Sequence, residues 1–428
     1  MRISGFFEYS FRNFYVSFIK TDEEATEEDI EFLDSSYVDV ANHKNSYTGK
    51  FKGKNLIIIQ LEGTDKWLIN KNDAPNLYKL MTQGINFSNH YSFYTGGGST
   101  FNSEFAINTG FITPISYTKN AYSFNKNNFP NTLAKQFKNE GYSVNVFHMN
   151  NGEYYSRTSN YKNWGYNNYY GLLDMGNYSE TDVMLDRVLI QDEQFNSLMF
   201  PTDTNFVDYI IAYSGHLPFI NTKGVCKLLY DEEMDKIEQE TGVRPEFKEL
   251  TEEECLSKQT KETDYMVGLL LENLTSKGLL DKTVIVVATD HYLYTLEDKS
   301  ILDKNHKITS NNLINNTPWF IWSKGIKKNN VKKVTSQLNV LPTLLNLYGI
   351  KYNTNNYIGS DALDPKYQGI AFFADYSWYD GNVYVDNGEV TNGNKIKPLA
   401  LEEKNAFVNY LIRKNDLTLK YDYFKKLK

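Results

Sequence analysis

Cysteine is scarce in this chain: 428 residues contain only Cys226 and Cys255. Two cysteines fit a reducing cytoplasm and a disulfide-sparing cell surface equally well, and sequence alone leaves open whether they pair. Net positive charge is also missing. The formal charge is −8 and the pI is near 5.5, which argues against a nucleic-acid partner. No run approaches the roughly 18–20 apolar residues that a membrane-crossing helix needs, and no charged n-region leads into an apolar h-region as in a signal peptide. The chain as given therefore reads as soluble. If the native protein works at a membrane, its anchor is expected upstream of Met1. There is no internal repeat and no low-complexity tract.

What is present is ordinary globular composition, 41% hydrophobic and 23% charged, with tyrosine (33) unusually frequent and asparagine abundant. That bias is either compositional drift or a surface that touches sugars or headgroups. Residues 1–50 are polar, with the acidic run Asp22-Glu23-Glu24 and a Thr26/Asp29 pair resembling a helix capping box; they read as a connector. From Asn55 apolar runs alternate with helical stretches. Strands are expected at Leu56–Leu61, Ser143–His148, Phe206–Ala212, Thr283–Ala288 and Trp319–Trp322. Helices are expected at Ala74–Gly84, Thr132–Glu140, Val183–Gln194, Thr263–Lys277 and Gln337–Leu347. This alternation predicts an α/β fold, a mostly parallel central sheet sandwiched by helices, over residues 51–350. Residues 351–428 change to short aromatic segments and Gly/Asn turns, predicting a small antiparallel sheet subdomain closed by a helix over Leu401–Arg413.

Four segments carry the chemistry: Asn55–Gly63 (NLIIIQLEG), Gly96–Phe105 (GGGSTFNSEF), Tyr213–Phe219 (YSGHLPF) and Val286–Tyr292 (VVATDHY). Glu62 and the pair Asp290-His291 end apolar strands, where open α/β sheets gather ligands. Alone, each reads equally as a solvated strand end or a turn. Together they suggest a divalent metal site of hard oxygen and imidazole ligands. Thr100 follows a glycine run at the start of a helical stretch, where it is an N-cap, a nucleophile favoured by the helix N-terminus, or both. His148 and His216 also lie at or just past strand ends, and Arg157 suits a bidentate phosphate contact; buried structural histidines and a surface arginine are the plainer readings.

In this order, these segments resemble the extracellular catalytic domain of the lipoteichoic acid synthase family, within the alkaline phosphatase/sulfatase superfamily. Further support comes from Ala74–Leu80 (APNLYKL), Phe147–Arg157 (FHMNNGEYYSR), Trp164–Tyr170 (WGYNNYY), Val340–Leu345 (VLPTLL) and Ile358–Asp361 (IGSD). The resemblance runs from about Gly5 to the C-terminus. It implies one metal ion, usually Mn2+ with Mg2+ as the alternative, on Glu62, Thr100, Asp290 and His291. It also implies Thr100 as nucleophile, and substrate contacts from His216, Arg157, His148, Tyr155, Asn150 and Asn102. The implied reaction moves a lipid-headgroup phosphate through a phosphothreonine onto a growing lipoteichoic acid chain, in Gram-positive cell wall biogenesis. Donor and acceptor would be a membrane phospholipid or glycolipid and a teichoic acid chain. The place would be the extracellular face of the cell membrane, with residues 1–50 as a juxtamembrane connector.

Three positions depart from the family pattern. Asn102 and Asn150 stand where aspartate is usual, and Tyr155 where tryptophan is usual, leaving open a glycerophosphate or a sugar-bearing headgroup. Other readings within the superfamily are a phosphodiesterase, a phosphoethanolamine transferase or a sulfatase. Neither cysteine has the C/S-x-P-x-R context of a sulfatase nucleophile, and phosphoethanolamine transferases usually carry several disulfides. A non-catalytic domain would be expected to have lost a metal ligand, and all four positions are filled.

Overall fold

The computed structural model describes residues 24–427 except positions 95, 115, 119, 177 and 202; Asp22 and Glu23 of the acidic run and the first 23 residues of the expected connector lie outside the described residues. The strands are β1 (Asn55–Leu61), β2 (Ile85–Phe87), β3 (His90–Tyr91), β4 (Ser143–His148), β5 (Asn168–Gly171), β6 (Phe206–Ile211), β7 (Thr283–Thr289), β8 (Trp319–Ser323), β9 (Asn329–Val331), β10 (Thr335–Ser336), β11 (Ala371–Phe372), β12 (Trp378–Tyr379), β13 (Val383–Asp386) and β14 (Glu389–Gly393). The longer helices are α1 (Glu27–Ser36), α2 (Pro75–Gln83), α3 (Ser99–Thr109), α4 (Leu133–Asn139), α5 (Arg157–Trp164), α6 (Gly224–Thr241), α7 (Glu252–Ser276), α8 (Val340–Tyr348) and α9 (Pro398–Lys420).

The main sheet has the order β5-β4-β6-β1-β7-β8-β2-β9. Its first five strands run parallel, and β8 pairs antiparallel with both β7 and β2. Every residue of β1 is buried, as expected of a parallel strand covered on both faces. Alternate side chains feed two cores. Leu56 and Ile58 pack in the cluster that takes in Phe101 and Phe105 of α3 and Leu341 and Leu344 of α8. Ile57, Ile59 and Leu61 join Leu77 and Leu80 of α2 and Met266, Val267, Leu270 and Leu274 of α7. The expected sandwich, with a second four-stranded antiparallel sheet β11-β12-β13-β14, is what forms.

Some elements differ from the sequence expectation. The Val183–Gln194 stretch is not one helix but three short ones, Glu180–Val183, Val188–Gln191 and Glu193–Leu198. The buried carboxylate of Asp186 accepts hydrogen bonds from the backbone of Tyr213 and Ser214 and from the Thr263 hydroxyl, and the Asp186 N–H donates to Ser214 Oγ, so the chain is held away from a continuous helix. α7 begins at Glu252, eleven residues before the expected Thr263, because Thr251 and Glu254 form a reciprocal capping box. α6 was not expected, since only Val225, Cys226 and Tyr230 of its acidic, charge-rich sequence are buried. Cys226 and Cys255 form a disulfide that joins α6 to α7. Thr26 caps α1 by accepting from the Asp29 N–H. α1 packs on α9, where the Arg413 guanidinium bonds Glu28 and Asp29 and lies over the Phe32 ring.

Candidate active site

Register brings the candidate ligands together. Leu61 of β1 pairs with Thr289 of β7, so the next residues, Glu62 and Asp290, leave the carboxyl ends of adjacent parallel strands side by side. On the other flank, Gln60 pairs with Ile211 of β6, and Ile211 with His148 of β4. Four adjacent strand ends therefore deliver Glu62, Asp290-His291, His148 and the loop to His216 to one edge of the sheet, as the switch region of an open α/β sheet does.

Glu62, Asp290 and His291 are buried, and one ligand atom from each lies within 4.8 Å of the others. His291 Nε2 is 3.3 Å from Glu62 Oε1 and 3.3 Å from Asp290 Oδ2. The other ring nitrogen, Nδ1, donates to the Tyr292 carbonyl at 3.0 Å, which turns Nε2 into the cluster. Asp290 Oδ1 accepts the N–H groups of Gly63 and His291 at 2.9 and 2.7 Å, while Oδ2 is buried with no hydrogen-bond partner. An orphaned carboxylate oxygen facing an imidazole and a second carboxylate is a donor set that fits a divalent cation.

The charges of the cluster are tied together. Burial works against the Glu62 carboxylate, but the adjacent His291 charge outweighs it and holds Glu62 down at about 2. Burial, then the Glu62 charge, pushes Asp290 up to about 8. His291 is raised to about 9 against its burial by the two carboxylates. Two buried carboxylates this close need a positive charge between them. The imidazolium supplies one, and a divalent cation would replace the proton.

Thr100 enters this cluster from α3. Its Oγ1 donates to Glu62 Oε2 at 3.2 Å and lies 3.4 Å from His291 Nε2. Gly98 takes the N-cap position with φ 94°, a backbone shape that favours glycine. Thr100 is thus the second helical residue, among N–H groups that favour negative charge. The expected N-cap role therefore belongs to Gly98, and Thr100 is free to point its hydroxyl at the ligands. α3 is fixed in turn by Ser103 Oγ, which donates to the Asp290 carbonyl at 2.6 Å, and by Gln337. The Gln337 amide nitrogen bonds the Thr289 and Asp290 carbonyls, and its oxygen accepts from Ser103 and the Phe93 N–H.

The substrate-side candidates separate into two groups. His148 and His216 both lie near Glu62. His148 is buried, its Nδ1 is 2.8 Å from the Ile211 carbonyl, and burial followed by the Arg157 charge holds it well below the usual imidazole range, so it stays neutral with Nε2 as acceptor. His216 is half-buried, stacks on Tyr213, and directs Nδ1 to the Leu217 carbonyl at 2.8 Å, leaving Nε2 for a ligand. Arg157 is buried rather than at the surface. Its Nε and Nη2 engage Glu104 at 2.6–3.2 Å, and Tyr161 donates to the same carboxylate at 2.9 Å. Only Nη1 of Arg157 lacks a partner.

Tyr155 and Ser156 both adopt positive φ, 57° and 51°, just before α5, a strained pair of the kind found at functional sites. The Tyr155 ring stacks on Tyr122 and packs on Phe101 and the Arg157 guanidinium. Asn102 is buried, with Oδ1 accepting the Ala121 N–H at 2.8 Å, and Asn150 Oδ1 accepts the Asn151 N–H. Sequence reasoning missed Glu104, Ser103 and Gln337. Glu104 had a signal: a carboxylate four residues after Thr100, in a helix otherwise lined by Phe101, Phe105, Ala106 and Ile107. Gln337 had none, being remote in sequence from the strands it clamps.

The fold and this edge of the sheet define the class: residues 54–350 match the sulfatase family model, and the chain belongs to that family. Within it, the resemblance to lipoteichoic acid synthases is borne out. The chain is 26% identical over 364 residues to lipoteichoic acid synthase of Staphylococcus saprophyticus, covering 79% of this chain and 53% of that protein. It is 26% identical over 408 residues to that of Staphylococcus aureus, covering 89% and 59%. The chain thus spans little more than half the length of these relatives. Among solved structures, the lipoteichoic acid synthase LtaP from Listeria monocytogenes superposes with a TM-score of 0.72 at 19% identity, over 91% of this chain and 98% of that one. The Streptococcus pyogenes phosphoglycerol transferase GacH, in complex with sn-glycerol-1-phosphate, superposes with a TM-score of 0.54 at 17% identity, over 95% and 97%.

Proposed function

We propose that the chain is a metal-dependent phosphotransferase that moves a lipid-headgroup phosphate, glycerophosphate or glycosyl phosphate, through Thr100 onto a growing lipoteichoic acid chain. The observation that carries this reading is the Thr100 hydroxyl at the start of α3, 3.2 Å from Glu62 and 3.4 Å from His291. Glu62, Asp290, His291 and Thr100 would hold the metal, Mn2+ or Mg2+. When bound it would lower the hydroxyl pKa and draw charge from the phosphoryl oxygens.

The chain's own groups then divide the work. In the first step Thr100 Oγ1 forms a bond to phosphorus while the bond to the lipid alcohol breaks, and the threonine proton ends on the departing alcohol. In the second, an acceptor hydroxyl forms the new P–O bond, the Thr100 bond breaks, and the acceptor's proton returns to Thr100. The α3 N–H groups stabilise negative charge at the phosphoryl group. Arg157 Nη1 would donate to its oxygens, His216 would place its free Nε2 edge beside the substrate, and neutral His148 would accept from a headgroup hydroxyl. Tyr155, Asn150 and Asn102 would shape the headgroup pocket. Asn102 and Asn150, uncharged where the family usually has carboxylates, and the added phenol of Tyr155 leave both a glycerophosphate and a sugar-bearing headgroup open.

The partners are a membrane phospholipid or glycolipid donor and a teichoic acid acceptor, at the extracellular face of a membrane. The Cys226–Cys255 disulfide supports an oxidising compartment, and among the described residues no helix is long and apolar enough to cross a bilayer. The test is release of lipid alcohol from vesicles of bacterial phospholipid and glycolipid with Mn2+. Thr100→Ala should lower turnover about 10³-fold or more while metal binding persists. Turnover that survives in that variant overturns the reading.

A further inference from the structure

A cleft of about 570 Å³ runs from the residue after His291 to the C-terminal antiparallel sheet, within the range of roughly 300–1,000 Å³ usual for small-molecule sites. Its inner end is tyrosine. Tyr292 and Tyr94 line it, with ring centroids 5.4 Å apart, and Tyr294 bridges them to the Glu62–Asp290–His291 cluster, 4.6 Å from Tyr94 and edge-on to His291 at 4.8 Å. Its outer wall comes from β13 and β14. There Tyr384 pairs with Asn392 and Val385 with Val390, so Thr391 is the extra residue of a β-bulge and faces the cleft with Asn392. Bulges re-aim side chains beside functional sites.

The lining chemistry is selective. None of the described lining residues is basic, while Asp375 and Asp386 are acidic. A polyanion or a phosphate would meet two carboxylates and no compensating cation, so this space disfavours charge of that sign. What remains is amides, hydroxyls and aromatic rings. Asn312 Nδ2 bonds Asp375 and Tyr384. Asn315, buried to 1% exposure, directs Nδ2 to the Asn312 carbonyl and leaves Oδ1 with no partner. A ligand hydroxyl in this cleft of amides and tyrosines would supply the donor that this buried acceptor lacks.

We propose that this cleft is a subsite for an uncharged sugar ring, carried by the acceptor chain or the donor lipid whose phosphate reacts at Thr100. This deepens the phosphotransferase reading and rests on it. It makes the substrate a glycosylated one, with the C-terminal sheet supplying the specificity.

The test is saturation-transfer NMR on the full chain with methyl glycosides of glucose, galactose, N-acetylglucosamine and N-acetylgalactosamine, and with sn-glycerol-1-phosphate as the anionic probe. At least one glycoside should bind. Thr391→Trp, which fills the cleft from an exposed strand, and Asn392→Ala should each weaken that binding about tenfold, the loss of one or two good contacts. Circular dichroism should remain unchanged, and glycerol phosphate binding should be unaffected. Binding of no glycoside, binding indifferent to both variants, or glycerol phosphate binding lost in both would overturn the subsite. Lipid-alcohol release measured in parallel separates the two proposals. Thr100-dependent release without glycoside binding sinks the subsite alone, and glycoside binding without any release sinks the transfer reading. Slower release only from glycosylated lipids in Thr391→Trp assigns the sugar to the donor; unchanged release with slower transfer to a glycoside assigns it to the acceptor.

Discussion

Gly215 lies against Glu62 so closely that a Cβ at Gly215 would sit 2.0 Å from the Glu62 carbonyl oxygen. The loop carrying His216 and the strand end carrying the candidate metal ligand Glu62 are therefore packed backbone to backbone, and only glycine fits between them. Gly215→Ala should push Glu62 out of register with Asp290 and lower Mn2+ affinity about tenfold or more, as loss of a ligand-orienting contact does. Isothermal titration with Mn2+, beside a circular dichroism control, measures this. Unchanged affinity would mean that the loop yields instead and that Glu62 is not held by it.

The buried Glu104–Arg157 pair ties α3, the helix that carries Thr100, to α5, the helix that follows Tyr155. Glu104→Gln leaves a buried guanidinium without its counter-charge and should cost about 3–5 kcal/mol in chemical denaturation. Glu104→Gln with Arg157→Met should recover part of that cost, because the orphaned charge is gone. A loss under about 1 kcal/mol in the single variant would be the value of an exposed pair and would contradict this geometry.

Asp208, in the middle of β6, is pushed up to about 8 by burial, only partly offset by the Phe200 N–H. Its folded value lies above the unfolded 3.8, so the folded state holds the proton that the unfolded chain releases. Its contribution is fully present below about pH 4, declines as pH rises towards 8, and then levels off. Asp208→Asn should flatten that decline in melting temperature between pH 4 and 8. A variant with the slope of the parent chain would assign the decline to other groups.

Much of the candidate site's placement was legible because buried parallel strands read as apolar runs that stop abruptly. Leu56–Leu61 and Thr283–Ala288 end one residue or two before Glu62 and Asp290, and the register of β1 on β7 does the rest. Thr100 was legible from its glycine run, although the cap turned out to be Gly98. What sequence did not reveal were long-range polar partners. Asp186 breaks the Val183–Gln194 stretch because it caps the loop after β6. Arg157 reads from sequence as a phosphate contact or a plain surface arginine; Glu104, 53 positions earlier, instead buries it and leaves only Nη1 without a partner. α6 is hidden because its charged face outweighs three buried residues, and its place depends on a disulfide whose pairing spacing does not encode.

The central claim is that Thr100 carries the phosphoryl group, and peptide mass spectrometry of the 96–105 segment tests it most directly. The chain is incubated with Mn2+ and bacterial membrane lipids, quenched in acid and digested, with Thr100→Ala as control. The account predicts a glycerophosphate or glycosyl phosphate adduct on Thr100, absent from the control. Lipid turnover that continues in the alanine variant, or an adduct on another residue, would contradict it.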